Sequence, residues 1–222
     1  MTMAFISDVH GNYEALRAVF SVLDCMNIAE VYCLGDVVGY YSQVNECCEE
    51  LRGRGIPCVM GNHDWYMVGG GACPRSRSVN KCLKYQRSII TKENMEWLKG
   101  FPLQRQVGEV HMVHGGWSDP IDEYLSPSEE YFAEIGGSVF VSGHTHVQIV
   151  CKYGRNTYCN PGSVGQPRDN DARAAFALYD GTFSLHRVAY NMKKVFELME
   201  RAGFDDYYYG CLKTGAKNLR RL

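Results

Sequence analysis

Short apolar runs alternate with amphipathic stretches over the first sixty residues. Met3-Ala4-Phe5-Ile6 is a compact apolar run, the pattern of a buried strand. Leu16, Val19, Phe20 and Leu23 then recur at i, i+3, i+4 and i+7, one face of a helix with Asn12 as its N-cap. Val31 to Leu34 predicts a second strand. Val44, Cys47, Cys48 and Leu51 repeat the helical spacing, and Gly53 and Gly55 end that helix. Ile56-Pro57-Cys58-Val59-Met60 predicts a third strand, with Pro tolerated near its start. This alternation predicts a βαβαβ unit with parallel strands and right-handed crossovers.

Residues 65–108 break the pattern. Gly69-Gly70-Gly71 reads as a flexible loop; Val79 to Ile90 and Lys92 to Lys99 read as helices with Thr91 as a cap between them. The segment is too short and too poor in core residues to fold alone, so it reads as a helical insertion within one domain spanning residues 1–222. Strands return at Val110 to Val113, Val139 to Val141, Gln148 to Cys151, Thr157 to Cys159, Ala174 to Tyr179 and Thr182 to Val188. Asp180-Gly181 predicts a two-residue hairpin between the last two. The second half is therefore more antiparallel, and an α/β sandwich of two sheets with outer helices fits best. A helix from Asn191 to Ala202 closes the domain. The tail from Phe204 carries Tyr207-Tyr208-Tyr209, then Lys213, Lys217, Arg220 and Arg221. Three readings stay open for it: packing on the body, pairing with another subunit in a homo-oligomer, or fraying.

Composition narrows the setting. Lys+Arg 23 against Asp+Glu 25 gives a net charge of −2, which provides no general attraction to nucleic acid or membrane surfaces. No apolar stretch approaches the roughly 20 residues of a membrane span. The N-terminal run is too short for a signal peptide. Ten scattered cysteines without a C-x-x-C pair read as reduced thiols, which with the missing signal predicts a cytoplasmic protein.

Polar residues at the ends of the predicted strands carry the chemistry. Asp8 and His10 follow the first strand, Gly35-Asp36 the second, Gly61-Asn62-His63-Asp64 the third, His114 the Val110 run, and Gly143-His144-Thr145-His146 the Val139 run. In extended chain, residues two apart point the same way, so Asp8 with His10, and His144 with His146, face one ion each. Each signal alone is uninformative: D-x-H is common, and G-D often marks a turn. Together, at five successive strand ends, they predict a metal site. Mixed imidazole and carboxylate donors suit Mn, Fe, Zn, Co or Ni better than Ca or Mg, with Mn or Fe favoured.

The series Asp8-x-His10, Gly35-Asp36, Gly61-Asn62-His63-Asp64, His114 and Gly143-His144-x-His146 resembles the calcineurin-like metallophosphoesterase superfamily. The resemblance runs from Asp8 to about Arg168. It implies a four-layer α/β/β/α sandwich and a dinuclear centre that hydrolyses a small phosphate ester. Asp8, His10, Asp36 and His146 would hold one metal; Asp36, Asn62, His114 and His144 would hold the other. His63 is the site histidine not needed for metal, and is assigned to the leaving group, with Asp64 holding it, or is a purely structural neighbour of Asn62. Family members that act as protein Ser/Thr phosphatases or diadenosine tetraphosphate hydrolases carry an Arg in a G-D-x-V-x-R-G pattern. Here the run is Gly35-Asp36-Val37-Val38-Gly39-Tyr40, without it. Asn160 to Arg168 resembles the compact bacterial and archaeal phosphodiesterase-like branch, so a phosphodiester is the first expectation and a phosphomonoester the second. Arg168 would pair phosphate oxygens, or be a surface Arg on a turn. Asn12 would contact substrate, or only cap its helix. Tyr40 and Trp117 are pocket or core aromatics, and His111 and His186 are structural. A non-catalytic scaffold on this fold is the remaining alternative, disfavoured by the intact ligand series.

Overall fold

A computed structural model describes residues 2–69 and 71–216 of the chain. Gly70 of the predicted glycine loop and the tail residues Lys217, Arg220 and Arg221 lie outside them. The first sheet has the order β2-β1-β8-β9, built from β1 (Met3–Ile6), β2 (Glu30–Cys33), β8 (Ala174–Tyr179) and β9 (Phe183–Val188). The second has the order β3-β4-β5-β7-β6, from β3 (Gln104–Val107), β4 (Val110–Val113), β5 (Val139–Val141), β6 (Ile149–Tyr153) and β7 (Asn156–Asn160). Both are mixed. β1 runs parallel to β2 and antiparallel to β8, while β5 is parallel to β4 and to β7.

The apolar runs are continuous because both faces of these strands are buried. Phe5, Tyr32, Ala177 and Tyr179 of the first sheet meet Val110, Met112, Val139, Val141 and Cys159 of the second. The alternate residues Ala4, Ile6, Val31, Cys33, Phe176 and Leu178 face the opposite way. They pack on α1 (Tyr13–Cys25) and α2 (Val44–Gly53), whose buried Leu16, Val19, Phe20, Cys47 and Leu51 are the residues of the predicted stripes. Beyond the second sheet, Phe140 and Tyr158 are covered by Phe132 of α6 (Glu129–Ala133) and by Leu125 and Trp117 from the preceding loop. The four layers are present, the fourth being mostly loop. Trp117 is partly buried and packs against this cluster, edge-on to Phe140 at 5.0 Å.

Some predicted elements differ. Ile56 to Met60 makes one bridge, Cys33 to Cys58, and no ladder. Pro57 has no N–H to donate, and the chain turns after Met60 into α3 (Asn62–Gly69). That helix was hidden because Gly61 stands where a Ser or Thr cap would signal it. Asp64 still reaches back to the Gly61 N–H at 3.1 Å, half of a capping box. The β8–β9 turn has three residues, because Tyr179 pairs with Phe183.

In the insertion, α4 (Arg77–Ile89) and α5 (Lys92–Lys99) form, with Thr91 capping through the Asn94 N–H. The insertion is fastened to the domain. Buried Gln86 accepts from the Gly39 N–H at 2.7 Å and donates to the Gly39 and Tyr41 carbonyls. Residues 204–216 pack on the body. α7 (Met192–Arg201), α8 (Asp206–Tyr209) and a 3-10 turn (Gly210–Lys213) bury Val195, Met199, Tyr209 and Leu212 against Tyr41 and Cys82. No helix among the described residues is long and apolar enough to cross a membrane, and all ten cysteines are free.

Candidate metal centre

The loops that follow β1, β2, β4, β5 and β7 meet at one edge of the sandwich and are zipped together by backbone. Asp8 N–H donates to the Gly35 carbonyl at 3.0 Å, His10 N–H to that of Asp36 at 2.9 Å, and Gly165 N–H to that of Asp8 at 2.9 Å. Gly143 N–H reaches the His114 carbonyl at 2.9 Å. A methyl group on Gly35 would stand 2.6 Å from the Gly61 backbone N, and one on Gly61 would stand 2.2 Å from Asp36 Oδ1 and 2.3 Å from its backbone N. Gly61→Ala is therefore expected to push Asp36 out of place. Elemental analysis after dialysis should find the variant depleted of metal, whereas uptake equal to wild type would show that the loop yields.

Among the described residues, seven other than glycine have positive φ, and five are predicted ligands: Asp8 (55°), His10 (53°), Asp36 (54°), His144 (65°) and His146 (60°). This corrects the alternation argument. Asp8 and His10 do not share a strand face, nor do His144 and His146. Left-handed turns swing their side chains into one volume. Such conformations cost roughly 1–2 kcal/mol per residue and persist where surrounding structure fixes them.

Every predicted ligand is buried. His10 Nδ1 meets the Val38 carbonyl at 2.9 Å, His114 Nδ1 that of Leu34 at 2.7 Å, and His146 Nδ1 that of Gln166 at 2.5 Å. With each Nδ1–H donated, each Nε2 is a lone pair in the neutral ring. These lone pairs converge. His10 and His146 Nε2 are 3.1 Å apart, and His146 Nε2 is 3.2 Å from Asp8 Oδ1. Asp8 Oδ1 is buried without a hydrogen bond, while Asp8 Oδ2 accepts the His144 N–H at 3.1 Å. On the other side His114 Nε2 faces Asn62 Oδ1 at 3.2 Å and His144 Nδ1 at 3.2 Å. Acceptors crowded at this spacing repel unless a proton or a metal cation sits among them, so the donor set fits a metal.

Asp36 lies between the two halves. Its Oδ1 accepts the His63 N–H at 2.8 Å, and its Oδ2 is 3.6 Å from His10 Nε2 and 3.4 Å from His114 Nε2. Donor atoms of Asp8, His10 and His146 form one candidate metal group, and those of Asp36, His114 and His144 another. His10, Asp36 and His63 satisfy the same spacing, but His63 Nε2 stands further off, at 3.9 Å from Asp36 Oδ2. Burial holds His10, His144 and His146 below the ordinary imidazole value, and His114 is the cage histidine that goes the other way. Burial works against a charged His114, yet Asp36 and Asp8 raise it to about 10. Burial also opposes ionisation of Asp8, but His146 and His114 hold it well below the usual carboxylate range. Burial lowers His63 to about 4, partly countered by Asp36.

Two expected contacts are not made. Asp64 does not hold His63. Its Oδ2 accepts from the Asp36 N–H at 2.7 Å and the Gly61 N–H at 3.1 Å, and its Oδ1 from the Val38 N–H at 3.1 Å. Burial and the Asp36 charge push this carboxyl up to about 7 against those N–H groups. Asn12 is fully buried and has nothing left for substrate. Its Oδ1 caps α1 through the Ala15 N–H at 3.2 Å, and its Nδ2 donates to the Gly165 carbonyl at 2.9 Å and the Tyr190 hydroxyl at 3.4 Å. Arg168 does reach the site: its N–H meets the His146 carbonyl at 3.1 Å, and Nη2 meets the Tyr40 hydroxyl at 3.0 Å and Gln166 Oε1 at 2.9 Å. The Tyr40 ring stands 4.7 Å from His10 and 5.0 Å from His63. Sequence reasoning missed Arg75, Asp122 and Tyr124 on the His144 side, where the Tyr124 ring lies 4.1 Å from His144. They come from irregular loops with no motif or periodicity to mark them.

Comparison with known proteins agrees with this geometry. Residues 1–182 match the family model described as the calcineurin-like phosphoesterase superfamily domain. An uncharacterized protein of Methanocaldococcus jannaschii is 32% identical over an alignment covering 88% of this chain and 90% of that one. The crystal structure of a metallophosphoesterase from Sphaerobacter thermophilus superposes with a TM-score of 0.86 at 29% identity, covering 97% of this chain and 99% of that one. A hypothetical protein of Pyrococcus horikoshii shares the fold with a TM-score of 0.88 at 18% identity and the same coverage. The sandwich, the convergent ligand loops and the family match together place this chain in the calcineurin-like phosphoesterase superfamily.

Proposed function

We propose that the chain is a two-metal hydrolase of small phosphate esters, phosphodiesters first. The observation that carries this reading is the position of Asp36 Oδ2 between His10 and His114, where one carboxylate joins two donor groups. Asp8, His10, His146 and Asp36 would hold one ion, and Asp36, Asn62, His114 and His144 the other. When bound, such a pair supplies positive charge against phosphoryl oxygens and acidifies water.

The chain's own residues do the rest. Arg168 orients the phosphoryl group from the His146 side. Its hydrogen-bond partners, Tyr40 and Gln166, are neutral, so its charge is free to meet an anion, and one such guanidinium suits the single charge of a diester. His63 presents Nε2 towards the cage and stabilises the leaving oxygen with its N–H. Asp64 acts at one remove, fixing the loops of Asp36 and Gly61. The ten free thiols suit a reducing compartment and support a cytoplasmic location.

Manganese-loaded protein should hydrolyse bis-p-nitrophenyl phosphate faster than p-nitrophenyl phosphate. The reverse order would make it a monoesterase, and inactivity on both would sink the enzyme reading. His63→Ala is expected to keep its metal yet lose about 10²-fold or more in turnover. Full activity of that variant would remove His63 from the mechanism.

A further inference from the structure

His144 differs from the other ligand histidines. His10, His114 and His146 each lock their tautomer by donating Nδ1–H to a backbone carbonyl. His144 turns Nδ1 inwards, to His114 Nε2 at 3.2 Å. Its outer nitrogen, Nε2, must then carry the proton when Nδ1 serves as a lone pair. That atom is buried and makes no hydrogen bond, although the residue is only 3% exposed. The carboxylate facing it is Asp122, with Oδ1 at 3.7 Å.

Asp122 is held in a built loop. Asp119 Oδ1 accepts from the Ile121 N–H at 3.0 Å and the Asp122 N–H at 3.2 Å. The loop seats on the turn after His114, where Gly115 N–H meets the Pro120 carbonyl at 2.8 Å and a side chain on Gly115 would collide with Asp119 and Glu123. From the insertion, Arg75 pairs with Asp122 Oδ1 and lies 5.3 Å from the centroid of the Tyr124 ring. That ring in turn covers His144 at 4.1 Å. Arg75 thus steadies both groups that flank the one ligand histidine without a backbone tether.

We infer that Asp122 is the positioning residue of His144, accepting its Nε2–H once an ion is seated at Nδ1, with Arg75 holding the carboxylate in place. The inference rests on the two-metal reading above. The 3.7 Å gap exceeds a hydrogen bond, so the inferred contact requires the two side chains to approach when the ion binds. A carboxylate behind a ligand histidine fixes its orientation and raises its basicity, and loss of such a partner weakens metal binding by about 10–100-fold.

The test is calorimetric titration of metal-free protein with Mn²⁺, for wild type, Asp122→Ala, Asp122→Asn and Arg75→Ala, with a thermal melt of each metal-free variant. Asp122→Ala should weaken one of two sites by about 10–100-fold and leave the other within twofold, while the metal-free melting temperature stays that of wild type. Asp122→Asn, which keeps an acceptor oxygen, should restore part of the affinity, and Arg75→Ala should fall between Asp122→Asn and wild type. If wild type takes two ions and Asp122→Ala takes both with affinities within twofold, the inference is overturned and the two-metal reading stands. If wild type takes fewer than two ions, both fall. If Asp122→Ala melts early and Asp122→Asn melts normally with unchanged affinities, Asp122 serves only the loop, and the inference is again overturned.

Discussion

Asp36→Asn is expected to empty both metal sites together and reduce hydrolysis by about 10³-fold or more, the several kcal/mol that a metal pair contributes to such chemistry. The amide is nearly the same shape and keeps an oxygen for the His63 N–H, which now meets Asp36 Oδ1 at 2.8 Å. Its NH₂ group then occupies the place of Oδ2, facing His10 Nε2 and His114 Nε2 from 3.6 and 3.4 Å. A donor replaces the shared acceptor, and the cage loses one of its two buried negative charges. His10→Ala and His144→Ala should each weaken chiefly one site, since each histidine belongs to one half of the cage. Metal content after dialysis separates the cases. An Asp36→Asn protein that retains two ions would show that Asp36 is not shared.

Asp64→Asn should be the most damaging substitution for the metal-free protein. Three backbone N–H groups end on this carboxylate, from Asp36, Gly61 and Val38. An asparagine offers one oxygen, so either orientation sets an NH₂ against at least one of those donors. A buried donor left unpaired costs about 1–3 kcal/mol, and weakening of the remaining charge-assisted bonds adds to it. We expect a loss of about 2–4 kcal/mol, which for a chain of this size lowers the melting temperature by roughly 5–15 °C. The fall should be present without metal, which distinguishes it from the effect of Asp36→Asn. A melting temperature within one degree of wild type would mean that the three N–H groups have found other partners.

The positions of the candidate metal ligands were legible because polar residues at the ends of apolar runs break a strong pattern. Asp8, Asp36, His114 and His144 each follow such a run, and the structure gathers all of them at one edge. Their convergence does not come from period-two alternation, which holds within a strand, because these residues lie just past one. Backbone φ is not readable from a ligand's identity. The role of Asp64 is not readable from sequence because its partners are backbone N–H groups, which no motif displays, and α3 is not readable because a glycine, Gly61, stands at its cap. Asn12 was legible as a cap but not as one whose every polar atom is committed, since Gly165 and Tyr190 approach it from far along the chain. Arg75 and Asp122 could not have been paired at all: 47 positions separate them, and each sits in irregular chain.

The left-handed turns also restrict which side chains can drift into the cage. Asp, Asn and His tolerate positive φ several-fold better than other residues bearing a side chain. All five residues that carry it in the cage are Asp or His. Glutamate has the same carboxylate and a longer reach, yet it lacks the short polar group that settles this backbone. At positions 8 and 36, the exchange of Asp for Glu is conservative in charge and radical in conformation. The alphabet open to this candidate metal centre is therefore set by the main chain as much as by coordination chemistry, and Asp, Asn and His are most of its letters.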